Sequence, residues 1–142
     1  MSEKGFQSYI IRSLQFNNYF VRFMDLNNCP GFPDLFIAKN NKSAFIELKE
    51  IKIKKDYAIK RMFQKSQPAF YLELLKNYKN LFLFFRSYEG NEKERFFCIF
   101  RITPFFIKKL NEIYYSNIDK YVISFLKTRK FNTIYKWLEI NL

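Results

Sequence analysis

Apolar residues first recur at helical spacing. Phe6, Ile10, Ile11 and Leu14 fall on one side of a helix running from about Glu3 to Phe16. Ser2 is placed to cap it, Glu3 suits the positive end of its dipole, and Asn17-Asn18 break it. Residues 19–24 are aromatic or β-branched and read as a short strand, and residues 27–33 form a loop punctuated by Pro30, Gly31 and Pro33. Residues 34–38 and 43–49 are two strands joined through the polar turn 39–42, a hairpin; Ile51 and Ile53 either prolong the second strand or open a lysine-rich connection. Ser66, with Pro68 in the first turn, starts a helix to about Tyr78. Residues 81–87 and 95–102 are strands flanking the charged loop 88–94. Thr103-Pro104 begins a helix through Leu110 to about Tyr114, and Asn117 and Asn132 open two more, ending near Leu126 and Ile140.

This order predicts one α/β (α+β) domain over residues 1–142, with a mixed central β-sheet flanked by helices. Its core spans about 3–105, with a helical extension over about 106–142.

Alternation along the hairpin carries the chemistry. Glu47 and Lys49 point to one face of their strand, Ile46 and Leu48 to the other. Asp34 begins the partner strand at the end remote from Asn40 and Asn41, so pairing of these ends brings two carboxylates and an ammonium together. Adjacent carboxylates do not both ionise cheaply without a cation. Oxygen-only donors select Mg²⁺, Mn²⁺ or Ca²⁺, ions that bind phosphate oxygens and acidify water. Lys49 is placed to hold an attacking water or to neutralise charge developing on phosphorus. An ordinary hairpin with solvated Asp, Glu and Lys gives the same pattern.

Composition narrows the options. The chain has no histidine, which removes the commonest general base and the Ser-His-Asp and Cys-His mechanisms. Cys29 and Cys98 lie far apart and supply no zinc framework. A net charge of +12 favours a polyanionic partner, although AT-rich coding produces the same excess of Lys, Asn and Phe. Lys52, Lys54, Lys55, Lys60, Arg61 and Lys65 follow the second hairpin strand, as DNA-backbone contacts or as a solvated connection. Lys127, Arg129, Lys130 and Lys136 form a second, less well placed set, and Trp137 reads as packing rather than stacking on bases. Nothing in residues 1–5 resembles a signal peptide and no apolar run is long enough to cross a bilayer, so the expectation is a soluble, intracellular protein with no membrane partner.

Pro33-Asp34, a short turn and Glu47-Leu48-Lys49 resemble the motif of the PD-(D/E)XK nuclease superfamily. Glu3 and Gln7 on the first helix, and Gln67 followed by Phe70-Tyr71-Leu72, resemble VRR-NUC and Holliday-junction-resolvase-like members, over roughly residues 3–105. The resemblance implies a restriction-endonuclease-like core. Asp34 and Glu47 would be metal ligands with the Leu48 carbonyl as a third, and Lys49 the catalytic lysine. Gln67 would support the site or touch DNA, and Glu3 is a further ligand or simply an acid at a helix start. Gln64 reads as a polar surface neighbour. The implied function is a Mg²⁺-dependent DNA endonuclease, with Mn²⁺ able to substitute, structure-specific at branched DNA and compatible with a homodimer. The alternatives are a sequence-specific homing or restriction-type enzyme using its helical tail for base readout, and a nonenzymatic DNA-binding protein that kept the fold.

Overall fold

Six strands make one mixed sheet in the order β1-β2-β3-β4-β5-β6, so neighbours in sequence are neighbours in space. The computed structural model describes residues 3–24, 31–53, 56–89 and 95–142. Helix α1 (Glu3–Phe16) precedes β1 (Phe20–Phe23), β2 (Leu35–Lys39) and β3 (Lys42–Ile53). Helix α2 (Gln67–Leu75) crosses to β4 (Leu81–Glu89), which is parallel to β3; every other pairing in the sheet is antiparallel. Then come β5 (Arg95–Arg101), α3 (Pro104–Lys108), β6 (Ile123–Thr128) and α4 (Asn132–Asn141).

Each face of the sheet carries its own core. On one, Leu35, Ile37, Ala44, Ile46, Leu48, Phe82 and Phe84 meet Phe6, Ile10 and Leu14 of α1 and Ile134, Trp137 and Leu138 of α4. On the other, Ile51, Leu81, Leu83, Phe85, Cys98 and Phe100 meet Tyr71 of α2 and Phe106 of α3. Period-two alternation sorts the residues: the odd positions of β3 face α2, and most even ones face α1. β3 and β4, at the centre, bury apolar side chains toward both covers, as expected of strands buried on two sides, and also bury the polar Glu47, Arg86 and Ser87.

The β2–β3 hairpin pairs Lys39 with Lys42 and turns on Asn40 and Asn41, at φ 54° and 63°. A two-residue turn with both centres left-handed matches the twist of the strands, and asparagine tolerates it. Asn41→Val places a β-branched side chain in that region and is expected to cost about 1–2 kcal/mol in urea unfolding; an unchanged midpoint would contradict the turn assignment.

Several boundaries differ from expectation. β3 runs on to Ile53, α2 ends at Leu75 rather than Tyr78, and Ser66 makes no side-chain cap. Thr103 does cap α3, its hydroxyl accepting from Phe106 N at 3.1 Å, but the helix stops at Lys108 and a 3-10 turn, Leu110–Glu112, follows. The helix expected from Asn117 to Leu126 does not form. A 3-10 turn, Tyr115–Lys120, leads instead into β6, which pairs with β5 through Leu126↔Ile99 and Lys127↔Cys98. Of the expected tail helices beyond α3, only α4 is present; Trp137 there packs edge-on against Phe82, with centroids 4.8 Å apart. Cys98 is buried in the core, while Ser2 and Cys29 lie outside the described residues. No helix among the described residues is long and apolar enough to cross a membrane.

Candidate active site

Leu35 pairs with Ile46, so Asp34, one residue before β2, comes opposite Glu47. Met24 N donates to the Asp34 carbonyl at 2.7 Å, and Phe32 packs edge-on against Phe45 of β3 and Phe70 of α2 with centroids 5.4 and 5.5 Å apart. These contacts hold the chain on both sides of Asp34. Its carboxylate turns toward β3 and accepts from Leu48 N at 2.9 Å. In an extended strand a residue's N–H and C=O project toward the same edge, so the Leu48 carbonyl also faces the Asp34 side.

Glu47 is 1% exposed. Its Oε2 accepts from both Gln67 Nε2 and the Tyr71 hydroxyl, and the Gln67 amide is oriented by Gln64 N, which donates to its Oε1 at 2.8 Å. Gln67 and Tyr71 lie one helical turn apart on the inner side of α2. Gly31 leaves room for Gln67: its φ is 89°, and a Cβ there would sit 3.2 Å from Gln67 Cγ.

The Glu47 pKa is pushed from 4.5 up to about 9, first by burial and then by the hydrogen bond and charge of Asp34; Lys49 and Tyr71 pull it partly back. Burial and the neighbouring Asp34 thus favour the protonated form of Glu47, and a cation at the site would favour the ionised one. Tyr71 is also raised, by burial first and the Glu47 charge next, which keeps it a donor.

A folded-state pKa above the unfolded one gives stability that is complete below about 4.5 and lost as pH rises toward about 9. The metal-free protein is thus expected to melt at falling temperature across that window, and Glu47→Gln to flatten the trend. Thermal melts in EDTA over a pH series check this; a wild-type curve that rises over the same range would contradict it.

Of the expected site residues, Asp34, Glu47, Lys49, Gln67 and the Leu48 carbonyl come together on the α2 side of β3. Glu3 is the first residue of α1, and its side chain lies outside the described residues, as do Lys54 and Lys55. Lys52 is at an even position of β3 and points to the face opposite Glu47. Lys60, Arg61 and Lys65 are exposed on the connection into α2, whose Ile59 and Met62 anchor it on the site's own face. Tyr71 is the functional neighbour that sequence alone missed.

Among the described residues no cluster of three or more His, Cys, Asp or Glu occurs; the oxygen donors that come together there are the Asp34 and Glu47 carboxylates and the Leu48 carbonyl. That sparse oxygen set fits Mg²⁺, which keeps several waters and takes the rest of its shell from phosphate. Comparisons with family models, curated proteins and solved structures find no match.

Proposed function

We propose that the chain is a divalent-metal-dependent deoxyribonuclease that hydrolyses phosphodiester bonds within DNA. One observation carries the reading: two carboxyls stand opposed across an antiparallel pair, with Glu47 almost fully buried and its pKa raised by that burial and by Asp34. A resident divalent ion would favour the ionised form of Glu47. Asp34, Glu47 and the Leu48 carbonyl would hold Mg²⁺, or Mn²⁺ in its place. The bound ion supplies Lewis-acid stabilisation of phosphate and a nucleophilic water at neutral pH.

The chain's own residues do the rest. Gln67 and Tyr71 fix one Glu47 oxygen and leave the other toward Asp34, while the Leu48 amide fixes Asp34. Preset orientation of this kind lowers the reorganisation needed when charge develops. Lys49, on the same face, orients the attacking water or balances charge on the phosphoryl oxygens. Lys60, Arg61 and Lys65 would contact the DNA backbone. Asp34 opposite Glu47, with Lys49 two residues on, also supports membership of the PD-(D/E)XK superfamily and a restriction-endonuclease-like core.

The test is incubation with linear, supercoiled and branched DNA in Mg²⁺ or EDTA, beside Lys49→Ala. Cutting that needs the metal and drops about 10²–10³-fold in the variant is expected. Binding without cutting under any divalent ion would contradict it and favour a DNA-binding module.

A further inference from the structure

The face of the sheet that carries the carboxylates continues past α2 onto β1 and β2, where no helix of the described residues covers it. Arg22 pairs with Phe36, so Phe20 and Arg22 of β1 share this face with Phe36 of β2, with Asp34 just before that strand and with Phe45 and Glu47 of β3. Aromatic rings cross it in a row. Phe70, Phe32 and Phe45 lie at the α2 end, and Phe36 follows 5.3 Å from Phe45; Phe20 then stands 6.5 Å from Phe36. Cover falls along the row, from half-buried Phe36 to Phe20 at 53% exposed. The exposed Arg22 guanidinium lies 5.5 Å from the Phe20 ring centroid.

A ring left half exposed keeps apolar area that a ligand could still cover, and the cation beside it favours an anionic partner that is also flat and apolar. We infer that the Phe20–Arg22 surface is a stacking platform for an unpaired base of the DNA strand, with Arg22 on an adjoining phosphate. A nucleotide supplies both chemistries, and a strand seated there runs directly toward Asp34 and Glu47. Every base has a π-face, so such a platform grips strand without reading sequence, and it favours DNA with unpaired positions over perfect duplex. The inference rests on the proposed nuclease reading for its direction toward the carboxylates, but its binding component is measurable without any cleavage.

The experiment measures fluorescence anisotropy of a short labelled oligodeoxynucleotide, single-stranded or fully duplexed, in EDTA. It compares wild type, Phe20→Ala, Phe20→Trp and Phe23→Ala, with circular dichroism confirming that each is folded. Phe23 is exposed on the same strand but on the opposite face, and serves as the control. Phe20→Ala is expected to weaken single-strand binding at least about five-fold and duplex binding less, with Phe20→Trp restoring it and Phe23→Ala unchanged. Equal losses at Phe20 and Phe23, or no loss at Phe20, would overturn the platform. Sedimentation adds a further arm: a dimer made monomeric by Phe20→Ala with DNA binding intact would show a second copy on this face, and the platform would fall. Metal-dependent cutting with an unaltered Phe20→Ala affinity sinks the platform and leaves the nuclease standing. A Phe20-dependent single-strand affinity with no cutting under any divalent ion does the reverse, and absence of any DNA binding sinks both.

Discussion

Glu47→Gln is expected to lower metal-dependent DNA cleavage at least about a hundred-fold while raising the melting temperature of the metal-free chain at neutral pH and above. The opposed signs come from one arrangement. The carboxamide keeps the shape of the side chain, and its oxygen accepts from Gln67 and Tyr71 as Oε2 does now. Its NH₂ then donates toward Asp34, and the burial penalty of the Glu47 charge disappears. The same change removes an anionic ligand, leaving Asp34 and one carbonyl for a divalent ion. Cleavage assays in Mg²⁺ and melts in EDTA measure the two effects separately. A variant that loses both activity and stability would show instead that Glu47 works as an ionised structural acid.

Arg86→Ala is expected to destabilise the fold by about 3–5 kcal/mol in urea unfolding. Arg86 is 2% exposed, and its register partner across the parallel β3–β4 pair is Glu50, with which it forms an ion pair. Its guanidinium also lies over Phe6 of α1 at 4.7 Å and near Tyr88 at 5.3 Å. Truncation strands the Glu50 charge, opens a void beneath α1 and removes the cation–π contacts together. Against the usual 5–15 kcal/mol for a domain, this is a large share. Arg86→Lys keeps the charge but not the flat fork and is expected to fall between. Loss under about 1 kcal/mol in Arg86→Ala would show that the pair contributes no more than an exposed one.

The central hairpin was legible because two local rules agree there: strict alternation along residues 43–49 and a two-asparagine turn that fixes register. That register alone brings Asp34 opposite Glu47 and sets Lys49 on the same face. Tyr71 was hidden because an aromatic beside Phe70 and Leu72 looks like core, and only its one-turn spacing from Gln67 hints at a shared partner. β6 was misread for a physical reason. Ile118, Tyr121, Val122 and Phe125 recur at helical spacing, yet pairing with the open edge of β5 wins, helped by a register shift between Ile99 and Arg101 and by Ser124 at φ 60°. Long-range pairing of this kind leaves little trace in local periodicity. Lys52 was placed near the site by proximity in sequence, whereas prolonging β3 to Ile53 sends it to the opposite face.

The most direct measurement is anomalous diffraction from crystals soaked in Mn²⁺. The account predicts a single strong peak bounded by the Asp34 and Glu47 carboxylates and the Leu48 carbonyl, absent in Glu47→Gln. Manganese bound elsewhere, with no peak between Asp34 and Glu47, would contradict it.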